Sequence, residues 1–467
     1  MSGCGQPLVK RFRKRAPARH LIWINTGRQR ARNLKPCFKL RVTSTLGTKV
    51  RGSSPDCKRV AADRLQILRN RQQWGHSSDL KGVKHRTGAP HSTRRSQEPA
   101  GFSFQTFHQV HRSGGLMDTG TLTHTARTMV AMPCGVLAAD ESGPTIRKRF
   151  DAIGVASTVE NRQRYRELLF TADGIERTIG GVILFDETLR QSTRDGMPFP
   201  TLLAERGIVP GIKVDQGTQA LALCPGERIT AGLDGLRERL AEYKQLGARF
   251  AKWRAVIDID ERDLPSAHGM RAHAQALARY AALCQEAGLV PVVEPEVLMD
   301  GAHSIERCEA VTGQVLAAVF AELDAHRVLF EGMLLKPNMV IAGKKCPRQA
   351  GVDEVAAATL RCLKRYVPAA VPGIVFLSGG QSAEAATAHL NAMNALHAAA
   401  APPWQISFSY GRALQEPVLR AWQGQEANAA TAQQALLTRC ALNGLARQGI
   451  YARSMEAAAR SLNPSQI

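Results

Sequence analysis

Eight short apolar runs, separated by longer stretches of helical spacing, limit the folds open to this chain. Successive runs begin about 30 to 45 residues apart and are rich in Val, Ile, Leu and Phe. The runs are Val136–Ala139, Val182–Phe185, Gly211–Val214, Phe250–Trp253, Leu289–Val293, Gly332–Leu335, Gly373–Leu377 and Gln405–Phe408. Alternating strands and helices favour right-handed crossovers and a parallel sheet. Eight such units close most simply into an α/β TIM (β/α)8 barrel.

The segments between the runs carry helix formers with apolar residues at i, i+3 and i+4. The clearest are Gly232–Leu246, Gly269–Ala287, Ser304–Ala325, Val352–Tyr366 and Ala383–Ala400.

The longest apolar runs fall well short of the roughly 20 residues that a membrane span needs. The sequence therefore excludes an integral membrane protein.

Positive charge is concentrated in the first quarter of the chain. Residues 1–120 hold 25 Lys and Arg against 5 Asp and Glu, within a chain of formal net charge +22. Residues 1–116 show no sustained helical or strand spacing, and such a composition buries too little apolar surface to fold. Three interpretations stay open: a start codon placed upstream of a true start at Met117, an organelle transit peptide, or a disordered arm that binds RNA or anionic surfaces. We expect a basic, disordered extension over 1–116, the barrel over 117–450 and a tail over 451–467.

The spacing of cysteine and histidine does not favour metal chemistry or a disulfide framework. Ten cysteines lie scattered without a CxxC pair, which fits free thiols in a reducing compartment. Seven of the thirteen histidines lie at or before His124, and the other six fall outside the predicted strand ends. No HxH or HxxxH spacing is present, so we expect neither a metal nor another cofactor.

Charged side chains gather at the carboxyl ends of the predicted strands. A parallel strand buried on both faces reads as nearly continuous apolar sequence, so charges there need a reason. Barrel enzymes keep their active sites at this edge. Residues two apart share a strand face, so Lys252 and Arg254 both point inward. Together with two polar serines, the full set is Asp140, Lys213, Asp215, Lys252, Arg254, Glu294, Glu296, Lys336, Ser378, Ser409 and Arg412.

Two glycine-containing turns are suited to binding phosphate. Residues 378–382 read Ser-Gly-Gly-Gln-Ser, and residues 409–412 read Ser-Tyr-Gly-Arg. Glycine lets the backbone approach an oxyanion, serine adds a hydroxyl donor, and arginine adds a bidentate cation. The loops after strands seven and eight often bind phosphate in barrels. Lys213, Arg254 and the Arg147–Arg149 cluster offer a second anion subsite, although a solvated helix start also explains the cluster.

Lys336 is the predicted nucleophile. It ends a strand predicted to be buried, where a lysine is costly as a cation and releases its proton more easily. The cation of Lys252, two strands away at the same end of the barrel, favours release of the Lys336 proton. The neutral amine can then attack a carbonyl carbon to form an iminium ion. Glu294 lies on the strand between the two lysines and is placed to deliver and collect protons. Asp140 is placed to accept the proton of a hydroxyl group, and loss of that proton leads to cleavage of a C–C bond. The alternative is a structural ion pair between Lys336 and a neighbouring glutamate.

From about Thr125 to Tyr451 the sequence resembles class I fructose-bisphosphate aldolase. The matching motifs are Leu-Ala-Ala-Asp-Glu-Ser (137–142), Gly-Gly-Val-Ile-Leu-Phe (180–185), Gly-Ile-Lys-Val-Asp (211–215), Phe-Ala-Lys-Trp-Arg (250–254), Val-Glu-Pro-Glu (293–296), Leu-Leu-Lys-Pro-Asn-Met-Val (334–340), Phe-Leu-Ser-Gly-Gly-Gln-Ser (376–382) and Phe-Ser-Tyr-Gly-Arg-Ala-Leu (408–414). The resemblance implies a metal-independent lyase of glycolysis and gluconeogenesis that acts on phosphorylated ketoses and trioses. It also implies a homotetramer in the cytoplasm, or in a plastid or mitochondrion if the extension is a transit peptide.

The resemblance implies a role for each matching residue. Lys336 would form the Schiff base with the ketose, and Glu294 would donate and accept protons. Asp140 would handle the C4 hydroxyl, with Lys252 and Glu296 in support. The substrate-binding positions are Ser378, Gly379, Gly380, Ser409, Gly411 and Arg412 for the phosphate of the dihydroxyacetone half, Lys213, Arg149 and Arg254 near the other phosphate, and Thr145.

The sequence departs from the pattern of the family in three ways. Pro133-Cys134-Gly135 replaces Gly-Lys-Gly, Gln216 replaces a lysine, and Tyr451 is the last tyrosine, whereas many eukaryotic members end in a mobile tail with a terminal tyrosine. The sequence therefore leaves open the turnover rate and the preference between bisphosphate and monophosphate ketoses. Two rival functions also stay open: another Schiff-base barrel enzyme such as a transaldolase, and an RNA- or surface-binding protein that uses the barrel as a scaffold.

Overall fold

A closed barrel of eight parallel strands forms the centre of the protein. The computed structural model describes residues 118–398 and 403–461, so the predicted extension over 1–116 and residues 462–467 of the predicted tail lie outside the described residues. The strands are β1 (Gly135–Ala139), β2 (Ile179–Leu184), β3 (Val209–Lys213), β4 (Thr218–Ala220), β5 (Arg228–Thr230), β6 (Phe250–Ile257), β7 (Val290–Val297), β8 (Leu334–Leu335), β9 (Gly373–Phe376) and β10 (Gln405–Tyr410). Around the barrel the order is β1-β10-β9-β8-β7-β6-β3-β2, and β4 and β5 form a separate antiparallel hairpin. The predicted TIM barrel is confirmed.

All eight predicted apolar runs lie in barrel strands, but several strand ends differ from the prediction. β6 and β7 continue to Ile257 and Val297, so the charged residues of both strands lie inside the sheet rather than beyond it. Because a doubly buried strand is expected to be apolar, the sequence predicts strand ends near the first charged residue. β8 is shorter than predicted, since a 3-10 turn occupies Phe330–Gly332 before it.

Helices surround the barrel and connect its strands. They are α1 (Thr119–Met129), α2 (Gly143–Asp151), α3 (Val159–Phe170), α4 (Asp186–Leu189), α5 (Phe199–Glu205), α6 (Leu236–Gln245), α7 (Ala267–Glu286), α8 (Ile305–Ala325), α9 (Val352–Tyr366), α10 (Ala383–Ala398), α11 (Arg412–Trp422), α12 (Ala429–Arg447) and α13 (Met455–Ser461). The five helical stretches predicted from apolar spacing all correspond to helices. Several helix ends differ from the predicted ends by a few residues. The predicted boundary between barrel and tail at residue 450 stays a prediction.

Two apolar clusters leave the carboxyl edge of the barrel free for polar side chains. The larger cluster packs the outer faces of the strands against the helices, as where Trp253 lies 5.6 Å from Tyr280 between ring centroids. The smaller cluster fills the barrel interior and joins α1 at its amino-terminal end. There a Cβ on Gly211 would lie 2.2 Å from the Phe250 ring, so glycine is required for that ring to fill the interior. The opposite end of the barrel is left to the charged residues.

The amino-terminal face of the barrel is held by Arg447, near the end of α12. Its buried guanidinium donates to the carbonyl oxygens of Val130 at 3.1 Å and Ala131 at 3.0 Å, and to that of Ile406 at 3.2 Å. Burial lowers the pKa of Arg447 to about 10. One side chain thereby ties the segment before β1 to β10, the two strands whose pairing closes the barrel.

The described part of the chain contains no helix that is both long and apolar enough to cross a membrane.

The cysteines in the described part of the chain are free, as the sequence predicted; they are Cys134, Cys224, Cys284, Cys308, Cys346, Cys362 and Cys440. Cys4, Cys37 and Cys57 lie outside the described residues.

Candidate active site

A cavity of about 950 Å³ opens at the carboxyl edge of the barrel. Most of the predicted site residues line it: Asp140, Thr145, Arg149, Lys213, Lys252, Arg254, Glu294, Glu296, Lys336, Ser378, Gly379, Ser409 and Gly411. The parallel strands explain this convergence, because they all end at the same edge. Gly380 and Arg412 are the two predicted residues that do not line the cavity.

A row of alternating charges crosses the floor of the cavity. Lys336 directly follows β8, and its Nζ lies 3.1 Å from Oε1 of Glu294 on β7. Lys252 of β6 lies between two carboxylates, with Nζ 3.0 Å from Oε2 of Glu294 and 2.7 Å from Oδ2 of Asp140. Lys336, Glu294 and Lys252 are each about 3% exposed, so bulk water screens this row weakly.

Three residues of the row belong to adjacent strands, and the fourth follows a strand on another side of the barrel. β8, β7 and β6 are adjacent in the barrel, which places Glu294 between the two lysines as the sequence predicted. Asp140 follows β1, which is separated from β6 by β2 and β3, so its contact with Lys252 crosses the barrel mouth. Closure of the barrel is therefore needed to complete the site.

Coulombic pairing outweighs burial at the Asp140 end of the row. Burial opposes ionisation of Asp140, yet the ammonium groups of Lys252 and Lys336 hold the pKa of this carboxyl well below its usual range. Burial also opposes a cation at Lys252, but the carboxylates of Asp140 and Glu294 raise the pKa of its ammonium group. The pair is thus a carboxylate and an ammonium ion at neutral pH.

The glycine turn after β9 lies at one end of the cavity. Gly379 has a φ of +58°, which favours glycine, and its carbonyl accepts a hydrogen bond of 2.7 Å from Nη2 of Arg412. The Oγ of Ser409 is buried and has no hydrogen-bond partner among the described residues. Gly380 turns away, because its N–H donates to Sδ of Met299 at 2.9 Å. The turn after β9 and the end of β10 together therefore present an orphan hydroxyl and a nearby cation.

Three predicted cations also line the cavity, and each is paired with a carboxylate. Arg149 pairs with Glu141, and Arg254 pairs with Glu296. Nζ of Lys213 lies 2.7 Å from Oδ1 of Asp215. The remaining members of the 147–149 cluster are exposed and do not line the cavity, as expected for a solvated helix start. An anion binding here must share these cations with the carboxylates or displace them.

Sequence reasoning gave no role to Glu141. This carboxylate is 8% exposed and lines the cavity beside Asp140. It accepts hydrogen bonds from Arg149, from Nη2 of Arg166 at 2.6 Å and from Nε2 of Gln415 at 2.8 Å. The available signal was its place directly after Asp140 in a strand-end motif, but its partners on α3 and α11 are far away in the sequence.

Across residues 118–398 and 403–461, no group of three or more His, Cys, Asp or Glu side chains is arranged to hold a metal ion.

Fold and site together define a (β/α)8 barrel enzyme that keeps a buried lysine beside a carboxylate at its carboxyl edge. The family model for class I fructose-bisphosphate aldolase matches residues 121–465. The chain therefore belongs to the class I fructose-bisphosphate aldolase family, whose members are metal-independent lyases that characteristically work through a Schiff base.

Individual relatives agree with this assignment. The chain is 56% identical over 334 residues to a probable fructose-bisphosphate aldolase class 1 of Xanthomonas campestris, a match that covers 71% of this chain and 99% of the relative. It is 52% identical over 345 residues to human fructose-bisphosphate aldolase C, covering 73% and 94% of the two chains. A crystal structure of the Plasmodium falciparum aldolase, in a ternary complex with TRAP and a small-molecule inhibitor, matches with a TM-score of 0.70 and 50% identity, covering 71% and 95%.

His389, on the helix that follows the glycine turn, makes stability depend on pH. It is 9% exposed, its Nδ1 lies 2.6 Å from Oε1 of Gln381, and burial lowers its pKa to about 4. Because the pKa lies below the unfolded value of 6.5, the unfolded chain binds more protons between these pH values. The stabilisation is complete above pH 6.5 and is lost as the pH falls towards 4.

Urea unfolding of the wild type and of His389→Asn across this range tests the prediction. We expect the wild type to lose up to about 3 kcal/mol more of its free energy of unfolding than the variant, since one pKa unit corresponds to about 1.4 kcal/mol. Parallel pH profiles for the two proteins would show that His389 does not titrate in this way.

Proposed function

We propose that this chain cleaves fructose 1,6-bisphosphate reversibly to dihydroxyacetone phosphate and glyceraldehyde 3-phosphate, with Lys336 as the Schiff-base lysine. The observation that carries the assignment of Lys336 is its buried Nζ, which lines the cavity 3.1 Å from the Glu294 carboxylate. An amine in this place has a proton donor and acceptor within reach and little competing water.

Imine formation uses Lys336 and Glu294 as a pair. Lys336 Nζ transfers a proton to Glu294 and attacks the ketone carbon, giving a carbinolamine. Glu294 then returns a proton to the carbinolamine oxygen, so that it leaves as water and the C=N bond forms. Lys252 holds Glu294 from the other side at 3.0 Å, which fixes the carboxylate for both transfers.

Bond cleavage uses Asp140 as the base. Asp140 takes the proton of the C4 hydroxyl, the C3–C4 bond breaks, and its electron pair moves to the iminium ion to give an enamine. The aldehyde product leaves, and protonation and hydrolysis of the enamine release the ketone product and regenerate Lys336. Lys252 keeps Asp140 ionised before this step, and Glu296 supports the row by holding Arg254.

Two anion subsites around the charged row suit a ketose with a phosphate at each end of the molecule. The subsite for the dihydroxyacetone phosphate half is Ser378, Gly379, Ser409, Gly411 and Arg412, with Gly380 as part of the turn. The orphan Oγ of Ser409 supports this assignment, because a buried hydroxyl without a partner is costly until a ligand satisfies it. The second subsite is Arg149, Arg254, Lys213 and Thr145, all of which line the cavity.

Membership of the family supports a proposal for the assembly and the compartment. We propose a homotetramer in the cytoplasm, with a plastid or mitochondrion as the alternative if residues 1–116 act as a transit peptide. Sedimentation of the purified full chain measures the assembly, and amino-terminal sequencing of the natural protein shows whether the extension is retained. A retained extension whose deletion abolishes salt-dependent RNA binding would instead favour a nucleic-acid role.

Reductive trapping tests the Lys336 assignment. We expect borohydride, added with dihydroxyacetone phosphate, to inactivate the enzyme and leave one covalent adduct, which peptide mass spectrometry places on Lys336. The variant Lys336→Arg keeps the charge but should form no adduct. EDTA should leave cleavage unchanged. An adduct on another lysine would remove the assignment, and a failure to release both trioses from fructose 1,6-bisphosphate would favour the transaldolase alternative.

A further inference from the structure

Glu141 belongs to a buried polar cluster that joins three elements beside the cavity. Arg166 on α3 is 2% exposed, and Gln415 on α11 is fully buried. Besides its bond to Glu141, Arg166 donates to Oε1 of Gln415 at 3.2 Å. Gln415 also donates to the carbonyl of Ala138 at 2.7 Å, so the cluster is anchored to β1.

The two arginines that hold Glu141 differ in their access to the cavity. The Arg149 side chain is 22% exposed and lines the cavity, whereas the Arg166 side chain is 3% exposed and does not. Arg149 is therefore free to turn towards an anion while Arg166 stays in place. Glu141 thus has one mobile and one fixed counter-charge.

The fixed counter-charge matters because an unpaired buried carboxylate is costly. Removing the partner of a buried ion pair typically costs several kcal/mol. With Arg149 turned away, Glu141 still keeps Arg166 at 2.6 Å and the Gln415 amide at 2.8 Å. In the part of the chain that the structure describes, the carboxylates paired with Arg254 and Lys213 each form a single ion pair, while Glu141 forms two.

We propose that Glu141 is a positioning residue that holds Arg149 in reserve, and that Arg166 and Gln415 compensate Glu141 when Arg149 transfers to the second phosphate of the substrate. This inference rests on the proposed function. It makes Arg166, which touches no substrate, a determinant of the preference for a bisphosphate over a monophosphate ketose.

Arg166→Met tests the proposal through substrate preference. Without Arg166, Arg149 becomes the only counter-charge of Glu141 and is released less easily. We expect kcat/KM for fructose 1,6-bisphosphate to fall about tenfold relative to kcat/KM for fructose 1-phosphate, which lacks the phosphate at the Arg149 end. A purely structural role for Arg166 would lower both values alike and leave their ratio unchanged.

Two further variants keep the test informative if Arg166→Met folds poorly, as thermal unfolding would show. Arg166→Lys keeps the charge, and we expect it to restore the wild-type ratio. The double variant Glu141→Gln/Arg166→Met removes both charges together, so Arg149 no longer has a competing carboxylate. We expect its ratio to equal or exceed that of the wild type.

The outcomes separate this inference from the proposed function. A folded Arg166→Met enzyme with the wild-type ratio overturns the inference, as does a double variant whose ratio falls below the wild type. If the wild-type protein cleaves neither ketose, the proposed function fails instead. A lowered ratio in the single variant that is restored in the other two supports the proposal.

Discussion

Replacing Lys336 with methionine is expected to abolish cleavage of fructose 1,6-bisphosphate, with kcat reduced on the order of 10⁴-fold or more. Methionine has a similar length but no amine, so neither the carbinolamine nor the iminium ion can form. The fold should survive, because Glu294 keeps its ion pair with Lys252 at 3.0 Å. Steady-state cleavage and circular dichroism, measured on the same preparation, give both quantities.

Two control variants separate catalysis from structure at this position. Lys336→Arg retains a cation next to Glu294 but has no nucleophilic amine at working pH. If Lys336 were only one half of a structural ion pair, this variant would keep its activity; we expect it to be as inactive as Lys336→Met. Lys364→Met makes the matched change on an exposed lysine of α9 and should leave cleavage unchanged. Full activity in Lys336→Met would end the assignment.

Lys252→Met is expected to lower the free energy of unfolding at pH 7 by about 3–5 kcal/mol, because it leaves a buried carboxylate without its partner. Lys252 is the ion-pair partner of Asp140 at 2.7 Å, while Glu294 retains Lys336 at 3.1 Å. The loss therefore falls mainly on Asp140. Chemical denaturation of the variant and the wild type measures the difference.

The pH dependence of the stability is expected to be weaker in the same variant than in the wild type. In the wild type the pKa of Asp140 is lowered, so its ionisation stabilises the fold above pH ~4, and this stabilisation is lost as the pH falls. In Lys252→Met burial still opposes ionisation of Asp140 while the lowering influence of the Lys252 ammonium group is gone, so the pKa of Asp140 is higher than in the wild type, although Lys336 still lowers it. The variant should then recover stability relative to the wild type on acidification.

The double variant Lys252→Met/Asp140→Asn removes the charge that Lys252 neutralised. We expect it to regain much of the lost stability at pH 7 and to lack cleavage activity, as the proposed roles of both side chains require. If the double variant is no more stable than Lys252→Met, then the loss comes from packing of the lysine stem rather than from the unpaired carboxylate.

The sequence predicted the charged row because two local rules place those residues. Charges at the ends of apolar runs in a parallel sheet converge on one edge, and residues two apart share one face. These rules are sufficient to place Lys336, Glu294 and Lys252 together on adjacent strands. They also placed Asp140 at the same mouth, although not its contact with Lys252 across the barrel.

What the sequence did not predict depends on contacts between distant segments. Gln415 reaches Glu141 from 274 residues away, and nothing near either residue marks the pair. Met299, 81 residues away in the sequence, accepts the hydrogen bond of the Gly380 N–H. One group predicted to donate a hydrogen bond to phosphate is therefore absent from the lining of the cavity. Local spacing gives the direction of a side chain, but a partner on another loop is fixed only by the closed barrel.

The pairing of β1 with β10 has a consequence for synthesis on the ribosome. Ser407 donates to the carbonyl of Cys134 from 273 residues further along the chain. At translation rates of about 5–20 residues per second, this separation corresponds to roughly 15 to 55 seconds. During that interval one edge of β1 stays unpaired on the nascent chain, and an exposed strand edge recruits foreign strands. The yield of closed barrels therefore depends on how quickly elongation delivers the last strand and on how well chaperones shield that edge until it arrives.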